Sequence, residues 1–322
     1  MAVFNNCISE WRSQIMCLAI IGVVAYHWQI NFETTAIPVL SRFLYMGYLG
    51  VDVFLICSGF GLVFSYPLHS LKDFYRRRYI KILPLFALFQ VLKLALTYYL
   101  GDNFSFCDVL CRFSTLSLFL DTSHITEWYI NMLVWLYLLF PLIYRFVSSC
   151  GIWSVLLTAC VSLSILYGFT VGGIMASILL RLPVFVMGVY FGIHHDDIKR
   201  LWAVSIVGLA IAFAGNMSGF YSLFTLNEIT TMYWAGPFMT VFFALVLSVA
   251  GCRAGFMESI GRHTLEIYLA NILANDFCLY YVKEVAGNIQ AQIFYFLLTI
   301  LLSVAFMFIN RLLQSFLRVK CC

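Results

Sequence analysis

The chain has 322 residues, 63% of them apolar and only 11% charged, with a formal net charge of +4. A soluble domain carries about 25% charged residues, so a water-exposed globule is excluded. The basic residues gather at the edges of apolar runs, which argues against a nucleic-acid partner and for contact with a lipid bilayer.

Apolar segments of about 20 residues, the length that crosses a bilayer as a helix, recur about ten times between positions 13 and 316. Strands of a membrane β-barrel would alternate apolar and polar residues instead of running as solid apolar blocks. The pattern therefore predicts an all-α polytopic membrane protein with about ten transmembrane helices. It forms a single integral-membrane domain over 1–322, with short cytoplasmic tails at 1–12 and 317–322. Spans are expected near 13–31, 45–67, 80–100, 128–146, 152–170, 174–194, 201–221, 231–251, 260–280 and 291–313.

The first run follows a polar segment whose only positive charge is Arg12, and no small-x-small cleavage site follows it before Phe32. The first helix is expected to be retained. It ends GVVAYHW, placing His27 about four residues, or roughly 6 Å, from the outer end. The second run carries Asp52 about seven residues, or roughly 10 Å, below the same face. A His27–Asp52 hydrogen bond is sterically reasonable, and the carboxylate would orient the ring as a general base. The same residues also read as polar decoration of a wet helix end, and the pattern alone does not separate the two. Ser58, Gly59 and Gly61 interrupt the second run near its middle, where small residues admit another helix or a ligand.

The next connection, HSLKDFYRRRYIK, holds the densest basic cluster: Lys72, Arg76, Arg77, Arg78 and Lys81. Placed in the cytoplasm by the positive-inside rule, it puts both termini inside. Alternation then puts Arg145, Lys199, Arg200, Arg253, Arg262, Arg311, Arg318 and Lys320 inside as well, and leaves Arg42, Arg112 and Lys283 outside. Such clusters ordinarily fix topology and touch anionic headgroups, but Arg donors also match phosphate geometry. The short apolar piece Cys107–Leu120 reads as a re-entrant or interfacial segment in an outer loop, not a crossing.

Ionisable residues inside spans are costly and tend to face a cavity or a partner. The set here is His27, Asp52, Lys93, Glu127, Arg181, Glu266 and Asp276. Arg181 lies mid-span in ILLRLPVF, whereas Lys93 is expected to snorkel outward. Glu127 opens the fourth span beside Trp128, as a helix N-terminal charge or as a group for acceptor hydroxyls. Most of the eleven cysteines fall in apolar runs, and no CxxC or Cys/His set has metal spacing, so no metal is expected. A Cys107–Cys111 disulfide is not expected. The terminal Cys321-Cys322 reads as a lipidation site or as an ordinary tail.

Six patterns in order resemble the membrane acyltransferase 3 family. They are GVVAYHW; Gly50-Val51-Asp52 through Ser58-Gly59-Phe60; Arg77-Arg78-Tyr79-Ile80-Lys81-Ile82-Leu83-Pro84; Glu127-Trp128-Tyr129 through Pro141; Arg181-Leu182-Pro183 through Gly188; and Gly261 through Asn271. The resemblance implies a ten-helix enzyme of the bacterial inner membrane. It would take an acyl group, usually acetyl, from cytoplasmic acyl-CoA (acetyl-CoA) to a hydroxyl of a saccharide or glycolipid acceptor in an envelope or surface glycan. By matching position His27 is the catalytic histidine, aided by Asp52. Arg77, Arg78, Lys81 and Arg181 serve the acyl-CoA site, Ser58 lies on the acyl path, and Glu127 and Trp128 meet the acceptor. Two positions depart from the pattern. Met16 stands where the family often has an arginine, with Arg12 one turn earlier as a substitute, and Asn271 stands where a histidine is frequent. A transporter or flippase for a glycan or lipid-linked substrate would share the spans and buried charges. It would more often show repeats and broken helices in its two halves, and none is evident.

Overall fold

A computed structural model describes residues 7–32, 38–101, 103–120, 127–169, 173–195, 236–251 and 253–319. Among them every regular element is helical. In chain order these are α1 (Cys7–Glu10), α2 (Arg12–Phe32), α3 (Pro38–Tyr45), α4 (Gly50–Ser65), α5 (Leu71–Tyr99), α6 (Phe106–Phe113) and α7 (Ser117–Leu120). There follow α8 (Trp128–Cys150), α9 (Ile152–Gly168), α10 (Gly173–Ile193), α11 (Gly236–Ala250), α12 (Gly255–Arg262), α13 (Thr264–Phe277), α14 (Lys283–Ala286) and α15 (Asn288–Val319).

Six helical segments among the described residues are long and apolar enough to cross a membrane: Arg12–Phe32, Phe43–Ser65, Leu71–Tyr99, Trp128–Cys150, Ile174–Ile193 and Asn288–Leu317. Ile152–Leu166 and Gly236–Ala250 are apolar but shorter. The chain is a multi-pass membrane protein, all-helical among the described residues. The span expected at 201–221 lies outside the described residues. The one expected at 260–280 is the helix pair α12 and α13 followed by a π-helical turn, Cys278–Val282. α5 begins about two turns earlier than the apolar run suggested, so Lys72, Arg76, Arg77, Arg78 and Lys81 ride on a helix instead of a loop.

The segment from Cys107 to Leu120 forms α6 and α7, both too short to cross. α6 starts with a capping box in which the Ser105 side chain accepts from Asp108 N and Asp108 accepts from Ser105 N at 2.9 Å. Cys107 and Cys111 are not joined in a disulfide.

The chain divides into two compact units. The first gathers Met1–Ala19, Tyr48–Leu71 and Leu138–Arg262; the second gathers Ile20–Gly47, Lys72–Tyr137 and His263–Cys322. In the first, α4 packs along α10, and small residues let the backbones meet. A Cβ added at Gly188 would lie 2.5 Å from the Ile56 carbonyl oxygen, and one at Gly59 would lie 2.7 Å from that of Phe185. No side chain fits there, so glycine at both positions is what allows the two helices to touch.

In the second unit, α13 packs along α15 around Tyr295, Ala291, Ala274, Cys278 and Phe32, which are buried together. The outer face of α15 presents Ile289, Ile293, Leu297, Ile300, Val304, Phe308 and Leu312, all exposed, as a lipid-facing helix does.

Candidate active site

In the second unit, α2 and α13 meet through paired polar residues spaced four apart on each helix. The His27 ring Nδ1 lies 2.5 Å from Asn271 Oδ1, and Asn31 Nδ2 donates to Asn275 Oδ1 at 2.8 Å. Because 27 pairs with 271 and 31 with 275, the two helices run parallel here. A spacing of four returns each side chain to the same face, so two rungs form from one contact stripe. Asn271 Nδ2 donates in turn to the Tyr295 hydroxyl, and Tyr295 donates to the Val24 carbonyl at 2.9 Å. Further bonds tie the end of α2 to the C-terminal helices: Trp28 Nε1 to Gln292 Oε1 at 3.2 Å, Asn288 Nδ2 to the Phe32 carbonyl at 3.0 Å, and Lys283 Nζ to the Asn31 carbonyl at 3.3 Å. His27 itself is half-buried, with Tyr26 beside it stacked edge-on against Tyr45 at 5.5 Å.

Asp52, expected beside His27, belongs to the first unit, fully buried, where its Oδ1 lies 3.2 Å from Arg181 Nε. Depth along a helix says nothing of its rotation, and rotation decides which side chains meet. Arg181, expected at the acyl-CoA site, is buried and pairs with this carboxylate. Desolvating an ion pair is costly, and this one is enclosed by close backbone: a Cβ on Gly236 would sit 2.7 Å from Asp52 Cβ.

Lys93 does not snorkel. It is 3% exposed, forms an ion pair with Glu127 and lies 3.8 Å from Asp276 Oδ2. Gln90 Nε2 donates to Glu127 Oε1 at 3.1 Å. A helix N-terminal charge was one expectation for Glu127, and it does precede α8, but its carboxylate is committed to α5 of the second unit. The half-buried Trp128 follows directly, its ring 6.4 Å from that of Tyr129.

On the first turns of α5, Arg77 and Lys81 are exposed, while Arg78 is half-buried with its guanidinium 5.9 Å above the Phe74 ring. In the first unit Ser58 is buried on α4. One turn on, Gly61 makes room for Arg12: a Cβ there would lie 2.6 Å from Arg12 Nη1. Arg12 Nε is buried and has no hydrogen-bond partner among the described residues. Within that unit an arginine therefore reaches the Ser58 helix from Arg12 and not from position 16.

The second unit thus holds His27, Arg77, Arg78, Lys81, Glu127 and Trp128, and the first holds Asp52, Ser58 and Arg181. Sequence reasoning treated Asn271 as the loss of a histidine and passed over Tyr295. The matched pairs His27/Asn31 and Asn271/Asn275, each i and i+4 in an apolar helix, were the available signal.

The site offers a half-open imidazole anchored at one nitrogen, a constellation suited to proton transfer in group transfer. The family profile described as an acyltransferase domain matches residues 16–308. No match was found among curated proteins or solved structures. With that profile covering nearly the whole chain and both the histidine and the helices that hold it, this multi-pass protein belongs to the acyltransferase 3 family and is an acyltransferase.

Proposed function

We propose that the chain is a membrane O-acetyltransferase. It takes acetyl from cytoplasmic acetyl-CoA and delivers it to a sugar hydroxyl of an envelope glycan or glycolipid at a bacterial inner membrane, through a bundle of about ten spans. The observation that carries this reading is the half-buried His27, held at Nδ1 by Asn271 while no described group bonds to Nε2. His27 acts as general base: its free nitrogen removes the acceptor hydroxyl proton as that oxygen attacks the thioester carbonyl. The new C–O bond forms, the C–S bond breaks, and the departing thiolate recovers the proton from the imidazole. Help of this kind is worth about 10²–10⁴-fold in rate.

Acyl-CoA is a substrate here, and Arg77, Arg78 and Lys81 on α5 would meet its phosphates. Ser58, with Arg12 beside its helix, lies on the acyl path. Trp128 contributes to the acceptor side, and Glu127 supports it through Lys93. Arg181 and Asp52 serve this chemistry as a structural pair.

The test is His27→Ala in a host whose glycan acetylation depends on this chain. Mass spectrometry of envelope glycans should show acetyl content falling to the background of a deletion strain. Unchanged acetylation at normal protein level would overturn the assignment.

A further inference from the structure

We infer that Asn271 and Tyr295 are positioning residues that fix His27 as its Nδ1–H tautomer, with the Val24 carbonyl setting the direction of the chain. The inference rests on the general-base reading of His27.

The direction follows from which groups can donate. The Val24 carbonyl only accepts, so the single hydroxyl proton of Tyr295 goes to it, at 2.9 Å. Tyr295 then has only lone pairs to offer Asn271, which must present its amide NH₂ to the phenol oxygen. That leaves Oδ1 facing the ring at 2.5 Å, and a carbonyl oxygen next to Nδ1 requires Nδ1 to carry the proton. In the neutral ring, Nε2 is then the lone pair. Val24 lies one turn before His27 on α2, so the reference for the tautomer sits on the same helix as the base.

Burial makes the assignment firm. Asn271 and Tyr295 are both 0% exposed, so water does not compete for their donors and acceptors. A reversed amide would place two donors against each other or leave the Tyr295 and Val24 oxygens 2.9 Å apart with no proton between them, and such a contact is costly there. Asparagine and tyrosine also keep their hydrogen-bonding character through the neutral pH range, whereas a histidine at 271 would change donors with its own protonation. The residue that departs from the family pattern is therefore the one that makes the lock insensitive to pH.

The test uses the full chain in detergent, labelled with ¹⁵N-histidine, with the His27 resonances identified by their loss in His27→Ala. In the neutral ring the wild type should show the proton on Nδ1; a predominant Nε2–H form would overturn the proposal. Tyr295→Phe, smaller by one oxygen, should give a mixture of tautomers. Asn271→Leu should do the same and lower kcat about 10–100-fold with KM for acetyl-CoA little changed, host membranes supplying the acceptor. A folded Tyr295→Phe that keeps the pure Nδ1–H form and wild-type kcat would sink the positioning role. If His27→Ala itself retains acetyl transfer, the general-base reading falls, whatever the tautomer.

Discussion

Each unit is held together internally by its own means. In the first, backbone meets backbone: glycines 59 and 188 let α4 and α10 touch, and a buried Asp52–Arg181 pair sits inside. In the second, side chains bridge the helices, from His27–Asn271–Tyr295–Val24 to Asn31–Asn275 and Gln90–Glu127–Lys93. Close packing of apolar helices in lipid is governed by shape, since lipid tails are as apolar as leucine. Hydrogen bonds between helices additionally fix rotation, which a reacting group needs. The histidine lies in the unit where rotation is fixed by directional bonds.

Substitutions can break this contrast. Gly188→Leu should have the largest effect, because the atoms it meets are Ile56 backbone and cannot rotate away. Loss of the monodisperse peak after detergent extraction is the expected result, and a normal peak would mean that α4 and α10 are not in backbone contact.

Arg181→Met should come next, at about 3–5 kcal/mol, because it strands a buried carboxylate. Adding Asp52→Leu to it should recover most of that loss, as read by thermal unfolding in detergent. No recovery would mean that the pair does more than neutralise itself.

In the second unit Asn275→Ala removes one directional bond, to Asn31, and should cost only about 0.5–1.5 kcal/mol. Its interest is functional: with His27 still bonded to Asn271, acetyl transfer should fall less than in Asn271→Leu.

Smallest is Ser105→Ala, which removes the cap of the exposed α6. About 1 kcal/mol of local helix stability should be lost, seen as faster amide exchange in Phe106–Phe113 without change in global unfolding.

Much of the helical layout was legible because hydrophobicity is a local property. Runs such as those at 13–31, 128–146 and 174–194 became α2, α8 and α10 with ends moved by a few residues. The buried ionisable set was also legible, since charges stand out in apolar sequence. Their partners were not. Asp52 looked like a neighbour of His27 by depth, yet it pairs with Arg181, and Lys93 turned inward to Glu127. The basic cluster was read as a loop because charged residues hide a helix that simply extends beyond the apolar stretch.

From its order of residues alone, this chain specifies a helical membrane protein of acyltransferase type with a histidine near one end of its first long helix. Composition and ordered motifs carry that much, since each depends on neighbours in sequence. Tertiary structure alone decided that Asn271, 244 residues away, holds the histidine ring and that Tyr295 directs Asn271. The physical reason is that a hydrogen bond needs donor and acceptor within about 3 Å and properly aimed. Such a match is set by the rotation of packed helices, which no local pattern encodes.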